Sequence, residues 1–255
     1  MGDTSVASGP GESKITQILS QANLKLDEDY IIHCKNLLES VLKMLSYRGG
    51  DYIVDDMLSD LSKLNTPELF YDGMLIPDFV NPIRDIIVSR NVSTFRLLMS
   101  MMVKKIGGDY VCIFFTERKL TTVPKSQTKM IFEVIEKLSP SYNITEIIFV
   151  TPVVISLENN LNSIFTQVFK DTEIMALCRK KSAYSPTLRP LTSDQRSEFE
   201  KVNTYVTARR IQQIKHTDPV IKFLGIRPNT IVEIIRTPVF PGMIQRKEFS
   251  YAYVF

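Results

Sequence analysis

Two short stretches of the chain carry residue types that could cut a phosphodiester, Pro77-Asp78 and Glu117-Arg118-Lys119. Glu117 and Lys119 stand two residues apart just after an apolar strand pattern, so both side chains project from one face. Asp78 and Glu117 would hold Mg²⁺ through hard oxygen ligands, and Lys119 would orient a water for attack. A plainer reading competes: Pro77-Asp78 lies in an irregular stretch with no recognisable strand, and Glu117-Arg118-Lys119 reads equally as a solvated hairpin end. His33 and His216 have no evident nucleophile to serve. His33 falls beside the buried stripe of a helix and His216 just ahead of a helix cap, positions suited to surface or hydrogen-bonded imidazoles. Gly107-Gly108 is a turn rather than a phosphate loop, because no Lys-Ser or Lys-Thr follows. Cys34, Cys112 and Cys178 are odd in number, far apart and without a CxxC, which argues against disulfides and a zinc site and for a reducing compartment.

The elements that position these residues read as follows. A length of 255 residues suits one large or two modest domains, and 44% hydrophobic residues suffice for a core. No run of 18 or more apolar residues and no signal-peptide pattern is present, so no membrane partner is expected. Residues 1–25 read as a disordered tail, rich in Gly and Ser at its start. Residues 28–47 form an amphipathic helix with Ile31, Cys34, Leu38, Val41, Leu42 and Leu45 inward, acidic at its start and stopped by Gly49-Gly50. A weaker helix covers 52–64, and 66–91 is an irregular insertion punctuated by Pro67, Gly73, Pro77 and Pro82. Thr94–Val103 and Tyr110–Thr116 flank a turn and make a hairpin. A helix over 126–138, a strand over 146–151, a helix over 156–169 and a strand over 172–177 complete a first domain at residue 178. Polar, basic residues 179–186 read as the linker.

The C-terminal stretch carries its own end chemistry. Asp218 reads as an N-cap, Pro219 as the first helical residue and Gly225 as a left-handed C′ residue. Val220, Phe223 and Leu224 make an apolar stripe on the short helix between them. Thr230–Arg236 is a β-branched strand, and Phe249, Tyr251, Tyr253 and Phe255 share one face of a final strand. Thr192-Ser193-Asp194-Gln195 fits a capping box that opens a polar helix over 193–202.

Two resemblances follow from these residues. Asp78, Glu117 and Lys119 match the PD-(D/E)xK pattern of metal-dependent nucleases, which stands as the hydrolytic alternative. More extensively, Asp218-Pro219-Val220, Phe223-Leu224-Gly225, Val232 and Ile234-Ile235-Arg236, followed by a closing aromatic strand, resemble the C-terminal assembly domain of the common jaw subunit of RNA polymerases. This is the fifth subunit shared by the eukaryotic nuclear enzymes, and it has an archaeal counterpart. The resemblance is strongest over 187–236 and extends weakly over 28–178, where the order of helices and strands is that of the family's jaw domain. It departs from the family at Thr237–Gly242, where a different turn stands with only the Gly retained, and at Glu233, where the family has Lys. The family's usual His ahead of the first strand and its Arg near the end of the last strand have no counterpart at those places.

The resemblance implies an α+β protein with a mixed α/β jaw domain over 26–178 and a small α+β assembly domain over 179–255. It implies a non-catalytic subunit of a DNA-directed RNA polymerase that acts in transcription within a multisubunit complex. Its partner-binding residues would be Asp218, Pro219, Val220, Phe223, Gly225 and Arg236, set against the largest subunit. Other polymerase subunits and transcription factors would also be partners. Lys104, Lys105, Arg118 and Lys119 would stand near the downstream DNA backbone, which they would position without reading sequence. No cofactor is expected in this chain, since the catalytic Mg²⁺ belongs to the large subunits. The family jaw resembles an endonuclease-like fold but has no catalytic role. The divergent jaw fits a specialised cellular enzyme, hence the nucleus, or a large DNA virus, hence host cytoplasm or virion; a free-standing transcription adaptor is a third reading. Charge distribution agrees with a partner for the C-terminal domain: residues 179–255 hold 14 Lys and Arg against 6 Asp and Glu, whereas the residues before them hold 17 against 22. Such an excess suits an acidic protein surface as well as nucleic acid.

Overall fold

The computed structural model describes residues 27–48, 52–66, 82–89, 95–116, 125–152, 164–179, 187–203, 210–236 and 248–255. The chain divides into two units, Met1–Ser46 with Gly50–Thr172, and Tyr47–Gly49 with Glu173–Phe255. The architecture is α+β, with helices and one mixed sheet in each unit.

In the first unit, helix α1 (Glu28–Ser46) buries Ile31, Cys34, Leu38, Val41, Leu42 and Leu45, and also Leu37 and Met44. Glu28 and Asp29 in its first turn complement the helix dipole. Helix α2 (Asp55–Lys63) follows. Strands β1 (Met101–Lys104) and β2 (Tyr110–Phe115) form the expected hairpin, closed by Lys105 N–H to Asp109 O at 2.7 Å. Gly108 takes φ 90° in that turn, a conformation that glycine tolerates without strain. Helix α5 (Lys125–Leu138) lies between β2 and β3 (Ile144–Thr151) in sequence, and β2, β3 and β4 (Phe165–Lys170) run parallel in the order β1-β2-β3-β4. Parallel strands need crossovers and are covered on both faces, which makes them near-continuous apolar runs. Val111–Phe115 and Glu146–Thr151 are accordingly buried throughout. One face of the sheet, with Cys112, Phe114, Ile147 and Phe149, packs on Ile131, Val134, Ile135 and Leu138 of α5.

Three sequence expectations for this unit are corrected. Helix α4 (Phe95–Leu98) occupies the start of the expected strand over 94–103, because its Phe, Arg and Leu residues are unbranched at Cβ and tolerate a helix. Helix α3 (Pro82–Ser89) stands in the expected irregular insertion. There Pro82 opens the helix rather than breaking it, and Ile83 and Ile87 join the core one turn apart. The expected helix over 156–169 and strand over 172–177 are exchanged where the structure describes them. Phe165, Thr166, Val168 and Phe169 have strand-favouring side chains and form β4. Thr172-Glu173-Ile174-Met175-Ala176-Leu177 holds good helix formers and belongs to helix α6 (Asp171–Arg179).

The second unit is built on strands β5 (Thr187–Pro190), β6 (Gln212–Ile214), β7 (Thr230–Arg236) and β8 (Glu248–Val254), in the sheet order β5-β7-β8-β6. Central β7 pairs antiparallel with both neighbours, and β6 pairs parallel with β8. Helix α7 (Ser193–Val202) opens on the capping box, with Thr192 Oγ1 accepting from Gln195 N–H and Gln195 Oε1 from Thr192 N–H. It lies on one sheet face, where the Phe199 ring meets Tyr251 at 4.6 Å. Helix α8 (Pro219–Phe223) lies on the other, with Ile221 packed among Ile226, Val232, Ile234, Ala252 and Val254. The aromatic side chains of β8 do alternate, but Ala252 and Val254 supply the α8 side of the core, and Phe249 stays 57% exposed. Phe255 N–H donates to Ile214 O at 3.0 Å, which ties the last residue to β6.

Among the described residues no helix is long and apolar enough to cross a membrane.

Candidate functional site

Helix α8 has both ends satisfied by identifiable groups. The Asp218 carboxylate accepts from the N–H groups of Val220 (2.9 Å) and Ile221 (3.3 Å), which would otherwise lack partners at a helix start. Pro219 occupies the first helical position. At the other end Gly225 takes φ 67°, the left-handed conformation of a C′ residue. Arg48, a buried residue of the same unit, donates from Nε to Phe223 O at 3.0 Å and from Nη2 to Lys222 O at 2.9 Å. Its positive charge thus meets the negative end of the helix. A Cβ on Gly225 would stand 3.0 Å from the Arg48 guanidinium, so a larger residue there would be strained by φ and would press on that side chain as well. Lys222 pairs with Glu173 at 2.9 Å, and the Phe223 ring lies 6.0 Å from that of Tyr47. Sequence alone misses Arg48 and Glu173, because nothing local in either segment points to residue 222.

These contacts turn the helix differently from the expected stripe. Ile221 and Phe223 are buried, Leu224 is half-buried, and Val220 is 42% exposed. Val220 instead forms one wall of an open groove of about 570 Å³. Leu188 of β5, Ile214 of β6 and Ile234 of β7 line the groove as apolar residues, and Lys215 and Arg236 add two cations. Asp218 also borders it, but one oxygen of its carboxylate is engaged with the helix N–H groups. Of the residues assigned to partner binding, Asp218, Val220 and Arg236 therefore border the groove. Phe223 and Gly225 lie at the inner, C-terminal end of the helix.

The residues assigned to DNA do not share one environment. Lys104 is exposed at the end of β1. Lys105 is engaged: its ammonium pairs with Glu146 at 3.1 Å, reaches Thr145 Oγ1 at 3.3 Å and lies 5.2 Å from the centre of the Tyr52 ring. The Tyr52 hydroxyl donates to the same Glu146 carboxylate at 2.7 Å. Arg118 and Lys119 lie outside the described residues, as do Asp78 and Glu117 of the hydrolytic alternative.

A second polar cluster, signalled by no motif, sits at the carboxyl ends of the parallel strands in the first unit. The fully buried Arg96 makes a two-pronged pair with Asp171, Nη1 to Oδ2 at 2.5 Å and Nη2 to Oδ1 at 2.8 Å, and Nη2 also reaches Val150 O at 3.3 Å. His33 Nε2 lies 3.4 Å from Asp171 Oδ2. Burial opposes the guanidinium charge, yet its hydrogen bonds to Asp171 and that carboxylate's charge hold Arg96 above its ordinary value. The one signal in the sequence is an arginine inside the apolar run Phe95-Arg96-Leu97-Leu98-Met99. Burial alone pushes the thiol of Cys112 on β2 up to about 12, so it stays protonated and unreactive.

None of the curated proteins matches the chain. Residues 180–242 match the family model described as RNA polymerase Rpb5, C-terminal domain. That stretch runs through β5, α7, β6, α8 and β7, and so includes the capped helix and every residue that lines the groove beside it. In its second unit the chain is thus similar to the C-terminal domain of a non-catalytic RNA polymerase subunit.

Proposed function

We propose that the chain is a non-catalytic subunit of a DNA-directed RNA polymerase, docked on the largest subunit through helix α8 and the strands beside it. The observation that carries this reading is the match over residues 180–242 together with a helix fixed at both ends that leaves Val220 exposed beside an open groove of mixed apolar and polar lining. Asp218, Pro219 and Gly225 set the helix, and Val220 and Arg236 meet the partner. The first unit serves as the jaw near downstream DNA, and Lys104, exposed on the β1–β2 hairpin, is available to contact the DNA backbone. Polymerase chemistry and its Mg²⁺ reside in the large subunits. The nucleus for a cellular enzyme, or host cytoplasm and virion for a viral one, are the corresponding locations.

The test is affinity purification through a tag on the N-terminus, with a high-salt wash. The two largest polymerase subunits are expected in equal amounts with the chain, and Val220→Asp is expected to lose them while the fold is retained. Recovery of the chain alone, or with unrelated proteins, would overturn the proposal.

A further inference from the structure

We infer that the groove beside α8 receives an acidic segment of the partner subunit, one that seats apolar side chains on Leu188, Ile214 and Val220 and carboxylates on Lys215 and Arg236. This names the chemistry of the docking partner and rests on the subunit reading above. Charge pairing within the unit points to it. Three of the unit's cations already have carboxylates: Arg189 pairs with Glu233, Arg196 with Glu200 and Lys222 with Glu173. Lys215 and Arg236, the two that line the groove, make no close ion pair among the described residues; Arg236 reaches the Ser250 hydroxyl at 3.3 Å and stands across the strand pair from Glu248. The acidic residue at the groove, Asp218, gives one carboxylate oxygen to the helix N–H groups and makes no ion pair with either cation among the described residues.

The apolar residues decide what kind of anion fits. Val220 is exposed and Leu188 and Ile214 are partly so, and a nucleic-acid backbone would leave them wet, whereas a peptide with alternating apolar and acidic residues covers both features. A volume of about 570 Å³ holds a few side chains rather than a folded domain. Charge complementarity of this kind favours encounter and selects against basic segments.

Photo-crosslinking in the assembled complex tests this. Benzoylphenylalanine replaces Val220 in the full chain, the polymerase is purified through the tag and irradiated, and the adduct is sequenced by mass spectrometry. The expected adduct is a single segment of the largest subunit with more Asp and Glu than Lys and Arg and at least one large apolar residue. An adduct with a basic segment, with nucleic acid or with a different subunit overturns the inference, as does no adduct in a preparation that contains the polymerase. In a second arm, Lys215→Glu with Arg236→Glu is expected to weaken retention of the polymerase at least about tenfold at ~0.15 M salt. Lys215→Gln with Arg236→Gln should weaken it less, and the melting temperature should hold in both, since these are surface side chains. Unchanged retention in the Glu variant sinks the inference while the subunit reading stands. Failure of the wild-type chain to retain any polymerase sinks both.

Discussion

Among the described residues each unit buries one arginine, and the described partners of the two differ in kind. Arg96 in the first unit faces a full counter-charge, Asp171, with two parallel hydrogen bonds. Arg48 in the second unit donates to the neutral carbonyls of Lys222 and Phe223 at the end of α8. The first arrangement is an ion pair taken out of water, in which each charge depends on the other to remain buried. The second includes a helix cap, in which the guanidinium completes the carbonyl bonds that the helix end leaves open. Loss of one partner should therefore damage the two units to very different degrees.

The largest effect is expected from Asp171→Ala, which leaves the Arg96 charge buried beside a methyl group. We expect a loss of about 3–5 kcal/mol in urea unfolding. Hydrogen exchange should accelerate in peptides covering β2, β3 and β4. The paired replacement Arg96→Met with Asp171→Leu should recover much of the loss, because it removes both desolvated charges at once. A cost below about 1 kcal/mol for Asp171→Ala would mean that the pair is not what holds these strand ends together.

Gly225→Ala comes next and is expected to cost about 1–2 kcal/mol, since alanine is strained at φ 67° and its Cβ would meet the Arg48 guanidinium. The two contributions separate in a double-mutant cycle. In an Arg48→Ala background the contact term vanishes and only the backbone strain remains, so Gly225→Ala should cost less there. Additive costs would place Arg48 away from Gly225 and dissolve the contrast between the two arginines.

How far these features are legible in the sequence follows from how local their physics is. Asp218, Pro219 and Gly225 declare the ends of α8 because capping acts within four residues, and Thr192 with Gln195 does the same for α7. The β1–β2 hairpin and the stripe of α1 are legible by periodicity. Arg96 and Asp171 are 75 residues apart and Arg48 and Lys222 are 174 apart, so no spacing rule joins them. The exposure of Val220 escapes for a related reason: a five-residue helix carries too few residues for periodicity to fix its buried face, and contact with Val232 and Ala252 chooses Ile221 instead. The exchange of helix and strand between 165 and 177 comes from pairing with β3, which draws Phe165–Lys170 into the sheet.

Alkaline pH offers a smaller, selective way to load the first unit. Cys112 is fully buried there, with its thiol raised from 9.0 to about 12 by loss of solvation. Its contribution is intact below pH 9 and is lost as pH rises from 9 towards 12, because the unfolded chain releases this proton while the folded one keeps it. A loss on the order of 1 kcal/mol is expected by pH 10. Urea midpoints of the wild type and Cys112→Ala at pH 8 and pH 10 measure it: the wild type should fall further. Equal slopes would mean that the thiol is solvated in the native state.

The smallest expected effect concerns the cap at the other end of α8 from Arg48. Asp218→Ala removes the acceptor for the N–H groups of Val220 and Ile221 and should cost about 0.5–1 kcal/mol, whereas Asp218→Asn keeps an acceptor oxygen and should cost less. The two ends of the helix can then be weighed against each other. If Arg48 fixes the C-terminal end independently, Asp218→Ala frays only the first turn: exchange should rise at Val220 and Ile221 while Gly225 and Ile226, whose N–H groups donate to Lys222 and Ile221 carbonyls, stay protected. Uniform loss of protection across Val220–Ile226 would show instead that a five-residue helix melts as one body. In that case the cap and the buried guanidinium act on a single equilibrium, and Val220 cannot be presented to a partner unless both are in place.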